Sequence, residues 1–237
     1  MRLQAFLARA GASPSRRKAE VLISAGRVTV NGETATLGAV VSSGDHVLLD
    51  GRPVALPTKL AHLALNKPPG YLTTLQDEPG RDRPIIGDLM PSLPGLVPVG
   101  RLDAATTGLL LLTNDGPLAH RIAHPSSEME KEYEVTVRNP IPHGALAALA
   151  AGPTLVDGKM LPPKLDKVRS TDQETTFNLA IHEGRNRIIR RACAAVGLDL
   201  VSLKRTRVGP VLLGDLLEGH HRALTEAEVA SLEGNAG

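Results

Sequence analysis

Between Gly100 and Gly116 the chain reads GRLDAATTGLLLLTNDG: an acid on a connection, an unbroken leucine run, then a tight turn. A short apolar run bounded by turn signals reads as a buried strand, here Leu109 to Thr113. Asn114-Asp115-Gly116 breaks it sharply, and Pro117 opens a short helix. Asp103 lies on the connection that enters this strand, two residues after Arg101. A short acid held by a buried element beside it suits a catalytic group better than a surface charge. Most aspartates in such places are turn or cap residues.

The 237 residues suffice for one large domain, or for a small and a medium one, each with its own core. Only Phe6, Tyr71, Tyr133 and Phe177 are aromatic and Trp is absent, so each aromatic needs its own explanation. Cys193 stands alone, which excludes an internal disulfide and a cysteine metal cluster and fits a reducing cytoplasm. His120 and His124 have helix-compatible spacing, but no carboxylate or cysteine joins them, so no metal site is expected. No stretch is apolar enough to span a bilayer, and Met1-Arg2-Leu3-Gln4 does not open a signal peptide. Charge is uneven although the net is only +2: residues 1–60 hold eight Lys/Arg against four Asp/Glu, and residues 182–210 hold seven against two. Two separated basic zones in a nearly neutral chain suit a polyanionic partner at two places.

Residues 1–50 read as a small unit. Gln4 to Ala10 is an amphipathic helix closed by Gly11, and Ser13-Pro14 caps a second helix that ends at Gly26. Asn31-Gly32 is a hairpin signal between Arg27–Val30 and Glu33–Ala35, and Val47–Leu49 forms a further strand. Arg16, Arg17 and Lys18 occupy the first turns of the second helix, where the macrodipole disfavours cations unless an anion arrives. With Arg27 they form the first candidate RNA-binding group. The pieces Arg-Arg-Lys-Ala-Glu, Ala-Gly-Arg-Val and Val-Asn-Gly, in this order, resemble the alpha-L RNA-binding domain of a small-subunit ribosomal protein.

Residues 51–60, with Gly51, Pro53 and Pro57, read as a linker, and residues 61–237 as a larger unit. Strands are expected at His62–Asn66, Leu109–Thr113, Glu132–Val137, Thr175–His182 and Leu200–Arg207. Helices are expected at His143–Ala151 and Asn186–Val196, His220-His221 reads as a loop, and Thr225 with Glu228 forms a capping box. Strands dominate without regular alternation, so the fold class is α+β on a mixed, mainly antiparallel sheet.

Gly-Arg-Leu-Asp, Thr-Asn-Asp-Gly, Lys131-Glu132-Tyr133 and Glu183-Gly184-Arg185-Asn186-Arg187 occur in the order of, and resemble, the motifs of ribosomal RNA pseudouridine synthases. The resemblance implies an isomerase that turns a uridine into pseudouridine without metal or organic cofactor. It makes Asp103 the catalytic carboxylate, Arg190 its basic partner, and Tyr133 the ring that holds an extruded base. Whether Asp103 attacks the nucleoside or removes a proton is not fixed by sequence. Arg101 is a candidate to fill the gap left by the flipped base or to contact phosphate. Arg185, Arg187, Lys204, Arg205 and Arg207 form a second candidate RNA-binding group. Lys67-Pro68-Pro69-Gly70-Tyr71 resembles the family's first motif, with a structural role as a rigid turn. The form of the Glu-Gly-Arg-Asn-Arg piece resembles large-subunit enzymes of the B type more than the small-subunit enzyme. The expected partner is thus ribosomal RNA of a large-subunit precursor or assembly intermediate, met by a cytoplasmic monomer. The alternatives are the same reaction on small-subunit ribosomal RNA or transfer RNA, or a ribosome-associated RNA-binding protein without catalysis.

Overall fold

A computed structural model of the chain describes residues 1–78, 80–124 and 127–234, so the expected domain end at 237 lies outside the described residues. At the N-terminus, α1 (Leu3–Arg9) and α2 (Arg16–Ser24) bury Leu3, Leu7, Ala19 and Ile23 against a small sheet. Ser15, rather than Ser13, caps α2: its Oγ accepts from the Lys18 amide at 3.1 Å. Ser13 Oγ instead donates to the Ser15 carbonyl, which leaves Pro14 before the helix.

The small sheet has the order β2-β1-β3-β4, from β1 (Val28–Val30), β2 (Glu33–Thr34), β3 (Val47–Leu49) and β4 (Arg52–Val54). Asn31 and Gly32 both take positive φ, 53° and 88°, the backbone a two-residue hairpin loop of type I′ requires. The segment expected to be linker, residues 51–60, is entered instead through a second such turn, Asp50-Gly51 at φ 50° and 75°, and begins with β4. Pro53 is tolerated there because β4 is an edge strand, whose outward side needs no amide donor.

The larger sheet runs in the order β11-β12-β8-β13-β7-β5-β15. Its strands are β5 (His62–Lys67), β6 (Val97–Pro98), β7 (Thr107–Thr113), β8 (Lys131–Arg138), β11 (Lys164–Ser170), β12 (Glu174–Ile181), β13 (Leu200–Val208), β14 (Val211–Leu212) and β15 (His221–Ala223); β9 (Thr154–Leu155) and β10 (Gly158–Lys159) form a separate hairpin. Among the named strands of this sheet, in the described residues, β7 and β13 pair in parallel and the other pairings are antiparallel. Helices α3 (Gly116–Ala123) and α6 (Glu226–Gly234) cover one face, and α4 (Ala145–Ala150) and α5 (Ile188–Ala195) cover the other.

The leucine run explains itself in this setting. Leu110 and Leu112 enter the core beneath α4 and α5, while Leu109 and Leu111 enter the core beneath α3 and α6. A strand buried on both faces has no polar alternation to show. Asp115 caps α3 through the Leu118 amide, and the Thr225–Glu228 capping box forms in both directions. His221 is not in a loop: it pairs with Leu65 as part of β15, an edge partner set by the sheet rather than by its own residues. Helix α5 starts two residues later than its pattern predicts, because Arg187 takes φ 48° and stands outside the helix as its N-cap.

Candidate active site

Asp103 sits in a four-residue turn closed by the Thr106 amide, which donates to the Asp103 carbonyl at 3.0 Å. Two neighbours hold this turn. Thr73 Oγ1 donates to the Leu102 carbonyl at 2.7 Å and accepts from the Leu102 amide at 3.1 Å. Lys67, fully buried at the end of β5, donates from Nζ to the carbonyls of Pro68, Ala104 and Thr106 at 3.0, 3.0 and 2.9 Å. Burial pushes the Lys67 ammonium down to about 8, while the nearby Asp103 carboxylate pulls in the opposite direction.

Two arginines flank Asp103. Arg190 Nε lies 3.5 Å from Oδ2, within ion-pair reach but without hydrogen-bond alignment, and its Nη2 donates to Thr106 Oγ1 at 3.1 Å. Arg187 Nε is 3.9 Å from the same oxygen but more exposed. Arg190 therefore reaches both the carboxylate and the turn that carries it. The Asp103 side chain keeps 35% of its surface accessible, so it opens to the site rather than being sealed.

A cavity of about 760 Å³ brings Asp103, Arg101, Tyr133, Arg187 and Arg190 together. Tyr133 stands on β8 among its buried neighbours Val135 and Val137, and packs with the core beneath α5. Helix α5 buries Ile188, Ile189, Ala192 and Cys193, which turns Arg190 toward the cavity. Burial pushes the Cys193 thiol up to about 12, so it behaves as a small apolar side chain. Tyr71 packs against the same core, in keeping with a packing role.

The two basic groups are less uniform than the sequence suggests. Arg16, Arg17 and Lys18 are exposed at the start of α2. Arg27 is tied to Asp50 through two hydrogen bonds, which offsets its charge. Arg185 is committed to Glu183, to Asp157 and to the carbonyls of Gly158 and Lys159, so it braces a loop rather than waiting for phosphate. Arg207 is paired with Glu130 and Glu132. Arg205 is 4% exposed and donates from Nε to the Leu109 carbonyl at 2.7 Å, which removes it from any outer phosphate-binding surface. Lys204, its neighbour on β13, is only partly exposed. Asp50 for Arg27, Asp157 for Arg185 and Glu130 and Glu132 for Arg207 lie far away in sequence, and the Leu109 carbonyl does so for Arg205, so local charge counting does not separate these cases.

The sequence places Lys67 in a rigid turn, and the structure adds its grip on the Asp103 turn. Its position at a strand end just before Pro68-Pro69 carries no sign of where an amine would reach. Lys131 of the Lys-x-Tyr piece also lines the cavity. Among the described residues no group of three or more His, Cys, Asp or Glu is placed to hold a metal ion; the rings of His120 and His124 lie against each other at 5.0 Å.

A family profile described as RNA pseudouridylate synthase matches residues 61–195, and the S4 domain profile matches residues 1–47. An uncharacterized RNA pseudouridine synthase of Mycobacterium tuberculosis is 44% identical, over 98% of this chain and 92% of that protein. The ribosomal large subunit pseudouridine synthase B of Xylella fastidiosa is 43% identical over 98% of this chain, which spans 50% of that longer protein. Among solved structures, a crystal structure of a pseudouridylate synthase aligns with a TM-score of 0.68 at 33% identity, covering 98% of this chain and 99% of the other.

Proposed function

This chain belongs to the RNA pseudouridylate synthase family, and from that membership we propose that it isomerises a uridine of large-subunit ribosomal RNA, with Asp103 as the catalytic carboxylate. The reaction breaks the bond from ribose C1′ to uracil N1, turns the ring, and joins C1′ to C5. The proton on C5 leaves and N1 gains one, so atoms balance without any redox partner. A carboxylate is needed to attack the nucleoside or to take a proton from it. The observation that carries the reading is Asp103 opening into the cavity that holds Tyr133, with Arg190 behind it at 3.5 Å.

Each neighbour then has a task. Arg190 supplies the counter-charge to Asp103 and, through Thr106, fixes the turn. Tyr133 offers an aromatic face to a base extruded from its stack. Arg101 and Arg187, exposed at the cavity rim, face the backbone of the RNA. The N-terminal S4 domain adds Arg16, Arg17 and Lys18 as a second grip. The name of the Xylella fastidiosa relative and the form of the Glu183–Arg187 piece support the large subunit as the target.

Asp103→Asn tests the mechanism. Pseudouridine formation on ribosomal RNA should fall by about 10³-fold or more, as expected for loss of a positioned acid–base or nucleophilic group. RNA affinity should stay within about 2-fold, because a carboxylate does not attract phosphate. Turnover equal to that of the unaltered protein defeats the assignment. Mapping pseudouridines in ribosomal and transfer RNA from cells with and without the protein tests the target.

A further inference from the structure

The floor of the cavity carries two cations that the steps above leave without a task. Arg205 is 4% exposed, yet its Nε alone is bonded, to the Leu109 carbonyl. Its two terminal amino groups make no hydrogen bond among the described residues, and neither is sealed off from the cavity that the residue lines. The Lys131 side chain makes one hydrogen bond among the described residues, from Nζ to the Met129 carbonyl at 2.8 Å. Lys131 and Tyr133 alternate on β8, so they share a face of the sheet, and Arg205 stands directly opposite Tyr133 in the β8–β13 register. The three side chains line one cavity.

Neither cation has a carboxylate within ion-pair distance among the described residues. The flanking acids are taken: Glu130 and Glu132 pair with Arg207, and Glu132 also accepts from Asn178 and Thr206. Burial pushes Lys131 down to about 8, and the adjacent Arg205 pushes it the same way. Two like charges, poorly hydrated and unpaired, are unfavourable until an acceptor arrives.

Depth decides what that acceptor is. Phosphates of an RNA strand meet the exposed arginines of the rim, whereas the group that reaches the floor beside Tyr133 is the flipped base. Uracil presents carbonyl oxygens at C2 and C4. When the C1′–N1 bond breaks, its electron pair stays on the ring and spreads onto those oxygens. We propose that Arg205, with Lys131 beside it, donates to the carbonyl oxygens of the target uracil and stabilises the negative charge of the detached ring. The ring loses that charge when C1′ joins C5, after which the C5 proton departs and N1 is protonated, so no further reagent enters. The same donors explain a preference for uridine, since cytosine carries an amino donor at C4 where the guanidinium needs an acceptor.

This inference rests on the reading of the cavity as a pseudouridine synthase site. Its test is tritium release from transcribed large-subunit ribosomal RNA labelled at uridine C5, under single turnover with protein in excess, with RNA affinity measured beside it. Arg205→Met should slow release by about 10²–10³-fold, the range for loss of a preorganised donor to a developing anion. Arg205→Lys should recover at least about 10-fold of that loss by keeping the charge, and RNA Kd should stay within about 2-fold in both. Lys131→Met should slow release by about 10-fold. Release at the unaltered rate from a folded Arg205→Met protein overturns the proposal. So does weaker RNA binding with an unchanged rate, which assigns the two cations to phosphate. Should Arg205→Met fail to fold for want of its bond to Leu109, Lys131→Met decides, since its only bond is a local one; an unchanged rate there is equally fatal. No release by the unaltered protein would instead refute the underlying choice of reaction or RNA.

Discussion

Asp103 and Arg190 are far apart in the chain, and folding brings Arg190 Nε to 3.5 Å from Asp103 Oδ2. Lys67 acts on the same turn from a third stretch of the chain. Lys67 joins the end of β5 to two carbonyls of the Asp103 turn, Ala104 and Thr106. Replacing this buried side chain by methionine removes the donor that three carbonyls share, and leaves the buried bond to Thr106 unmade. Hydrogen bonds to a charged group contribute about 1.5–3 kcal/mol each and do not add. Lys67→Met should therefore destabilise the fold by on the order of 3 kcal/mol in urea unfolding and lower turnover as the Asp103 turn loosens. Unfolding at the unaltered urea midpoint contradicts the clamp.

At the scale of elements, β7 is the strand on which the site depends. It is buried on both faces, it pairs in parallel with β13, and its first residues follow the Asp103 turn. Gly108 permits that pairing. At φ 95° a Cβ on it would lie 2.3 Å from the Arg205 carbonyl oxygen and 2.8 Å from the Arg205 amide nitrogen. Gly108→Ala combines an unfavourable backbone with a backbone clash that no side-chain rotation relieves. A loss of about 2–4 kcal/mol is expected, visible as a fall in Tm on the order of 10 °C. A melt unchanged within error contradicts this account of β7–β13. The main strands of this region were readable from apolar runs and alternation, whereas β11 and β15 were not. Lys164–Ser170 is mostly exposed and His221–Ala223 is three residues long, so neither carries a period strong enough to announce a strand.

For the whole molecule, the N-terminal unit and the larger sheet meet backbone to backbone. A Cβ on Gly95 would lie 2.0 Å from the Arg9 carbonyl oxygen at the end of α1, and one on Gly11 would lie 2.9 Å from the Gly95 amide nitrogen. Two glycines thus allow an approach that longer side chains would prevent. The charge of the N-terminal unit belongs to this scale as well, because salt dependence reports the number of phosphates neutralised. Arg16→Gln, Arg17→Gln and Lys18→Gln together should weaken RNA binding and lower the slope of log Kd against log salt by about 2. An unchanged slope removes the triplet from the RNA interface. The sequence alone determined the main apolar strands, the Asn31-Gly32 turn and the Thr225–Glu228 capping box, because each is written in neighbouring residues whose local physics is self-contained. Only the tertiary structure decided which arginines are free: Arg185 and Arg207 are neutralised by acids, while Arg205 is buried with its donors open to the cavity. Charge is a property of a residue, but availability is a property of its surroundings, and those are assembled by folding.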